Sequence, residues 1–152
     1  MINFAKQYLK GNHSIGIAFW HIQLCTKYRY NMFAKFEYNK LCEACIRKVA
    51  VKHDIKVIAI SVMPDHVHMV VQVSASICID EVIQILKGGS AYLFFRLHPK
   101  ARLRYPRGHL WSKGKFRATI GFTDFEATLN YVLHQEDKHL SSITPSVGNR
   151  AF

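Results

Sequence analysis

The alternation of apolar and polar positions is clearest between His66 and Val73. Side chains of a strand point to opposite faces with a period of two. Val67, Met69, Val71 and Val73 therefore form one apolar face, and His66, His68, Val70 and Gln72 form the other. The preceding Met63-Pro64-Asp65 reads as a turn, with Asp65 as a turn former or as a partner to the histidines. It joins this strand to an earlier one, Ile55 to Val62, as a hairpin. A further strand is predicted over Ile15 to Thr26, where Ile15, Ile17 and Phe19 alternate with Gly16, Ala18 and Trp20. Both sets are mostly apolar, as in a central strand covered on both faces.

Helical spacing marks three other stretches. Tyr38, Leu41, Cys42, Cys45, Ile46, Val49 and Ala50 recur at i, i+3, i+4 and i+7, which predicts a helix from about Phe36 to His53. Asp80 can cap a second helix through Val82, Ile83 and Leu86 toward Leu97. Within it, Gly88 and Gly89 each cost about 1 kcal/mol of helix propensity, so the pair points to a kink or a close backbone approach. Pro99 to Gly108 reads as a basic loop, and Trp111 to Gly121 as a further strand. Thr123-Asp124-Phe125-Glu126 has the form of a capping box. It opens a last helix with Phe125, Leu129 and Val132 as its buried stripe. Tyr131 and Gln135, one turn apart, project from the same side. Residues 1–14 read as an arm, 15–138 as one domain and 139–152 as a flexible tail. The order strand, helix, strand, strand, helix, strand, helix predicts an α+β fold. Its plan is an antiparallel sheet with helices on one face, ferredoxin-like or RRM-like.

Composition narrows the partners. The chain of 152 residues is 49% hydrophobic and carries a net charge of +11. No apolar run approaches the ~18 residues of a membrane span, so no membrane association is expected. Residues 1–13 lack the pattern of a signal peptide. Cysteines at 25, 42, 45 and 78 are scattered rather than arranged as a disulfide framework. A reduced, cytoplasmic protein is expected. Between Glu81 and Asp124 there is no acidic residue, while Lys87, Arg96, Lys100, Arg102, Arg104, Arg107, Lys113, Lys115 and Arg117 all fall there. Tyr92, Phe94, Phe95, Tyr105, Trp111 and Phe116 are interleaved with them. Cations neutralise phosphates and exposed rings stack on unpaired bases, so nucleic acid is the expected partner. Lys27-Tyr28-Arg29-Tyr30, at the end of the first strand, is either a capped strand end or a phosphate and base contact.

Two groupings bear on chemistry. Cys42-x-x-Cys45 lies on the apolar stripe of its helix and has no second pair to complete the four ligands of a zinc site, so both cysteines belong to the core. His66 and His68, two apart on one strand, converge on one point. They suit either the wet end of a hairpin or two neutral imidazole ligands of one metal ion.

With Tyr131 and Gln135 added, the sequence resembles the single-tyrosine transposases of small bacterial and archaeal insertion sequences. These are members of the HUH (His-hydrophobic-His) nuclease superfamily. His66-Val67-His68, approached by Met63-Pro64-Asp65, resembles the motif that names the superfamily. Tyr131-Val132-Leu133-His134-Gln135 resembles the nucleophile helix, Lys27-Tyr28-Arg29 the end of the first strand, and Lys87-Gly88 with Ser90 a patch on the second helix. Gly114 to Gly121 resembles the strand before the nucleophile helix. Gln135-Glu136 favours this branch over the relatives associated with repeated palindromes, which usually carry Asn-Pro there. Thr26 stands where many relatives have proline.

The resemblance implies Tyr131 as nucleophile and His66, His68 and Gln135 as ligands of Mg2+ or Mn2+. His134, Glu136 and His139 are rivals for the third place, His134 foremost. It further implies DNA contacts at Lys27, Tyr28, Arg29 and Lys87, to which the acid-free window adds Arg102, Arg104, Arg107, Lys113, Lys115 and Arg117. The expected function is cutting and rejoining single-stranded DNA at hairpin-flanked element ends through a 5′-phosphotyrosine link. A phenol titrates at about 10, so the metal or Lys138 would help the phenolate form. The family implies a homodimer with its sites shared in trans. The alternatives are a relaxase-like or replication-initiator-like nickase, and an RRM-like single-strand binder without catalysis.

Overall fold

The computed structural model describes residues 16–121 and 124–135. The expected arm (1–14) and tail (139–152), together with Thr123, Glu136, Lys138 and His139, lie outside the described residues. Four strands and three helices follow in the expected order. β1 is Ile17–Thr26, α1 Phe36–Lys52, β2 Lys56–Val62, β3 His66–Ser74, α2 Ile79–Leu97, β4 Trp111–Thr119 and α3 Phe125–Leu133. Short 3-10 turns occupy Lys27–Arg29 and Pro99–Leu103. The sheet order is β2-β3-β1-β4, and every neighbouring pair is antiparallel.

This is the α+β antiparallel plan read from the alternation. The apolar face of β3 (Val67, Met69, Val71, Val73) packs with Ile22 and Leu24 of β1 under α1 and α2. Cys42, Cys45, Ile46 and Ala50 of α1 and Val82, Ile83 and Leu86 of α2 complete this core. The two cysteines are therefore core residues, and burial pushes the Cys45 thiol up to about 11. α1 and α2 thus share one face, as expected. α3 lies on the other. Its stripe of Phe125, Leu129 and Val132 is buried against Phe19, Ala59 and Val70, with the Phe19 and Phe125 rings 4.7 Å apart. Each such burial stabilises the seat by about 1.5–3 kcal/mol. Helical periodicity states that a stripe is buried but not on which side of a sheet. Here Phe19 and Val70 make an apolar patch on the histidine face, and α3 covers it.

Three local expectations change. Cys78, not Asp80, is the N-cap of α2. Asp80 sits in the first turn, where its carboxylate meets Lys115 (3.0 Å) and Arg117 of β4. Asp124 is the N-cap of α3 and makes no side-chain cap hydrogen bond. The basic loop after α2 is partly helical and rooted by buried Ala101 and Tyr105. No helix among the described residues is long and apolar enough to cross a membrane.

Candidate active site

Register decides which side chains meet. β1 and β3 pair Cys25 with His66, Gln23 with His68 and His21 with Val70, so these residues share the face that α3 crosses. β4 pairs Phe116 with Gln23 and adds an exposed ring to that face. From α3, Asp124, Ala127, Thr128 and Tyr131 project onto it at helical spacing. Together with His21, Gln23, His68 and Phe116 they line an open cavity of about 560 Å3.

The two histidines of β3 differ in setting. His66 is half-buried, and its Nδ1 is 2.7 Å from Asp65 Oδ1. The other carboxylate oxygen of Asp65 accepts from Arg29 Nε at 2.9 Å. Burial works to raise the Asp65 pKa, but the hydrogen bonds to His66 and Arg29 outweigh it and leave the carboxyl below its ordinary value. His68 is only 4% exposed. Burial, reinforced by His66 and His21, pushes its pKa down to about 4, so its imidazole is neutral at neutral pH. Its Nδ1 lies 3.2 Å from His21 Nε2. Both Nδ1 atoms are therefore occupied, and both Nε2 atoms are left for an outside partner. The rings of His66 and His68 are 5.0 Å apart.

Tyr131 is 47% exposed, and its ring stands 5.7 Å from that of His68 and 5.9 Å from that of His21. Within one chain, then, the phenol and the histidine strand already face each other. Gln135 is half-buried and is not among the cavity's lining residues. Its rival His134 is exposed, with Nδ1 turned back to the Asn130 carbonyl at 2.7 Å. Among the described residues no three His, Cys, Asp or Glu side chains cluster as a metal site. The chemistry of the donor types, two imidazole nitrogens and an amide oxygen with open positions for phosphate oxygens, suits a six-coordinate divalent cation.

The basic residues divide into three groups. At the end of β1, Tyr28 and Arg29 both hold positive φ (61° and 54°), a backbone that non-glycine residues rarely adopt. Tyr28 is 65% exposed, with Lys27 Nζ 5.5 Å from its ring, while Arg29 is pinned to Asp65. Beside them, Arg104 lies 4.4 Å over the Tyr30 ring and Arg102 lies 5.5 Å over Phe95; Arg107 is exposed. The third group is elsewhere. Lys115 and Arg117 pair in register with Leu24 and Ile22, which puts them on the α1–α2 face, ion-paired to Asp80; exposed Lys113 lies on the same strand. Lys87 donates to the Ser112 carbonyl at 2.6 Å, and burial, then Lys115, lowers its pKa. Ser90 accepts from Trp111 Nε1 at 2.9 Å. The Lys87–Ser90 patch thus fastens β4 to α2.

His21 is the residue that sequence reading passed over. Its signal was present: His21 and Gln23 are the polar breaks in the set that begins Ile17, Phe19.

The chain belongs to the IS200-like transposase family, whose profile, described as "Transposase IS200 like", spans residues 18–135. It is thereby one of a class of DNA-cleaving enzymes. The ISDra2 transposase TnpA of Deinococcus radiodurans is 28% identical over 119 residues, which is 78% of this chain and 84% of that protein. A crystal structure of a candidate transposase from Deinococcus radiodurans matches with a TM-score of 0.63 and 25% identity, covering 77% of this chain and 89% of that one. A REP-associated tyrosine transposase bound to a REP hairpin matches in fold, with a TM-score of 0.58 and 16% identity over 80% of this chain and 68% of that one. Family membership places the chain with transposases rather than with relaxases or replication initiators.

Proposed function

We propose that this transposase cuts and rejoins single-stranded DNA at the hairpin-flanked ends of an insertion sequence, with Tyr131 as nucleophile. The observation that carries the reading is the convergence of Tyr131 with His68, 5.7 Å apart between rings, beside a second imidazole whose Nδ1 is likewise tethered. His66 and His68 would hold Mg2+ or Mn2+ through Nε2, with the Gln135 amide as third ligand. A divalent ion held there would supply Lewis-acid stabilisation of charge on the scissile phosphate, worth several kcal/mol.

The chain's own residues do the rest. The Tyr131 Oη attacks phosphorus, the Oη–P bond forms as the P–O3′ bond breaks, and the phenol's proton is balanced by the one the departing O3′ takes up. The product is a 5′-phosphotyrosine and a free 3′-OH. Because the link conserves one phosphoester for another, a second 3′-OH can reverse the exchange without ATP. Arg29 holds Asp65, and Asp65 fixes the His66 ring. Lys27, Tyr28, Arg102, Arg104 and Arg107 form a basic, aromatic margin on which single-stranded DNA would lie. Lys113, Lys115 and Arg117, on the opposite face with Lys87 behind them, suit contacts to a second part of the DNA. The relative bound to a REP hairpin supports hairpin DNA as that part.

The working unit in this reading is a homodimer in the cytoplasm, and Cys25, Cys42, Cys45 and Cys78 are free thiols. The single chain supports assembly of His68 and Tyr131 in cis. Trans assembly would move α3 onto the equivalent patch of a partner. The test is cleavage of an oligonucleotide from the element's own ends. Cleavage is expected only as a single strand with its hairpin, only with Mg2+ or Mn2+, and not in EDTA. Equal cleavage in EDTA would refute the metal assignment, and cleavage of the fully paired duplex the single-strand assignment.

A further inference from the structure

His21 has no part in the chemistry just described, yet it stands at its centre. It enters from β1, one strand away from both histidines, and is held in place from three sides. Its ring stacks on that of His68 at 5.4 Å and 30°, meets Phe116 edge-on at 5.3 Å and faces Tyr131 at 5.9 Å. Its Nε2 lies 3.2 Å from His68 Nδ1. A neutral imidazole carries one N–H, so this contact holds a single proton, with two possible arrangements. If His21 donates, the proton of His68 sits on Nε2 and blocks it. If His68 donates from Nδ1, its Nε2 keeps a free lone pair.

We infer that His21 is a positioning residue: by accepting the Nδ1–H of His68 it fixes the tautomer and ring orientation in which His68 Nε2 can bind a divalent metal. The inference rests on the metal reading above. Metal-binding histidines characteristically place their second nitrogen against a carboxylate, carbonyl or water. Here His66 has Asp65 and His68 has His21. The pairing is asymmetric, with an anionic partner for the half-buried ring and a neutral one for the buried ring.

The test measures Mn2+ affinity of the full chain by electron paramagnetic resonance, without DNA and without turnover. His21→Phe keeps the ring and its packing but has no acceptor. His21→Gln puts an amide oxygen near the place of Nε2. The Mn2+ dissociation constant should rise about 10–100-fold in His21→Phe and recover most of that loss in His21→Gln, while both variants bind hairpin DNA as the wild type does. Wild-type affinity in His21→Phe, or equal loss in both variants, overturns the inference and makes His21 a packing residue. Wild-type protein that binds Mn2+ no better than a His66→Ala, His68→Ala double variant overturns the metal reading itself, and the inference with it. A measurement free of variants is 15N-histidine NMR of the Mg2+-saturated wild type. His68 should carry its proton on Nδ1; a proton on Nε2 overturns the inference.

Discussion

The adjacent glycines of α2 should respond to the same substitution with opposite sign. A Cβ added at Gly88 meets nothing within 4 Å, whereas one at Gly89 would lie 2.7 and 2.8 Å from the two methyls of Val49 and 3.3 Å from its Cβ. Gly89 is where α2 approaches α1; Gly88 faces outward. Alanine at either site contributes about 1 kcal/mol of helix propensity, and at Gly88 nothing opposes it. At Gly89 the methyl must displace a β-branched side chain that has one preferred rotamer in a helix. Overpacking of this kind costs about 1–3 kcal/mol. Gly88→Ala should therefore be about 1 kcal/mol more stable than wild type, raising Tm by about 2–4 °C. Gly89→Ala should fall about 1–3 kcal/mol below Gly88→Ala. Urea unfolding followed by circular dichroism at constant m-value reads both. Equal stability of the two variants would refute the close approach and leave the pair as a mere weakness in the helix.

Three further outcomes concern function. His66→Ala and His68→Ala should each abolish cleavage while hairpin binding, read by gel shift, persists; near wild-type cleavage by either would remove the metal role. Substituting Arg102, Arg104 and Arg107 together by alanine should flatten the dependence of log K on log salt by up to about three contacts, at about 0.7–0.9 each. An unchanged slope would make that margin a bystander. Mixing Tyr131→Phe with His66→Ala separates the two seatings of α3. With sites completed in cis, each chain carries one defect and the mixture stays dead. With sites completed in trans, exchanged heterodimers hold one intact site, and cleavage returns with the adduct on the His66→Ala chain.

The parts of this architecture that were legible in the sequence are those that local periodicity governs. Alternation in β3 separated Val67, Met69, Val71 and Val73 from His66 and His68, and the structure buries the first set under α1 and α2. The stripes of α1 and α3 were legible for the same reason. Tertiary choices were not. Nothing in Phe125, Leu129 and Val132 says which side of the sheet they cover; that depends on Phe19 and Val70, about 110 and about 60 residues earlier in the chain. The acid-free window suggested a surface of one sign, but Asp80, just outside it, neutralises part of β4. His21 escaped notice because a polar break in a mostly apolar strand does not show what it faces until its register with His68 is known.

The central claim is that Tyr131 is the group that becomes joined to DNA. The most direct measurement incubates the protein with end-labelled single-stranded DNA from the element's flanks and Mg2+ or Mn2+, denatures the mixture and maps the labelled peptide by mass spectrometry. The account predicts a denaturation-resistant adduct on the peptide containing Tyr131, joined through a 5′ phosphate and absent from Tyr131→Phe. Cleavage with no adduct, or an adduct that persists in Tyr131→Phe, would contradict it.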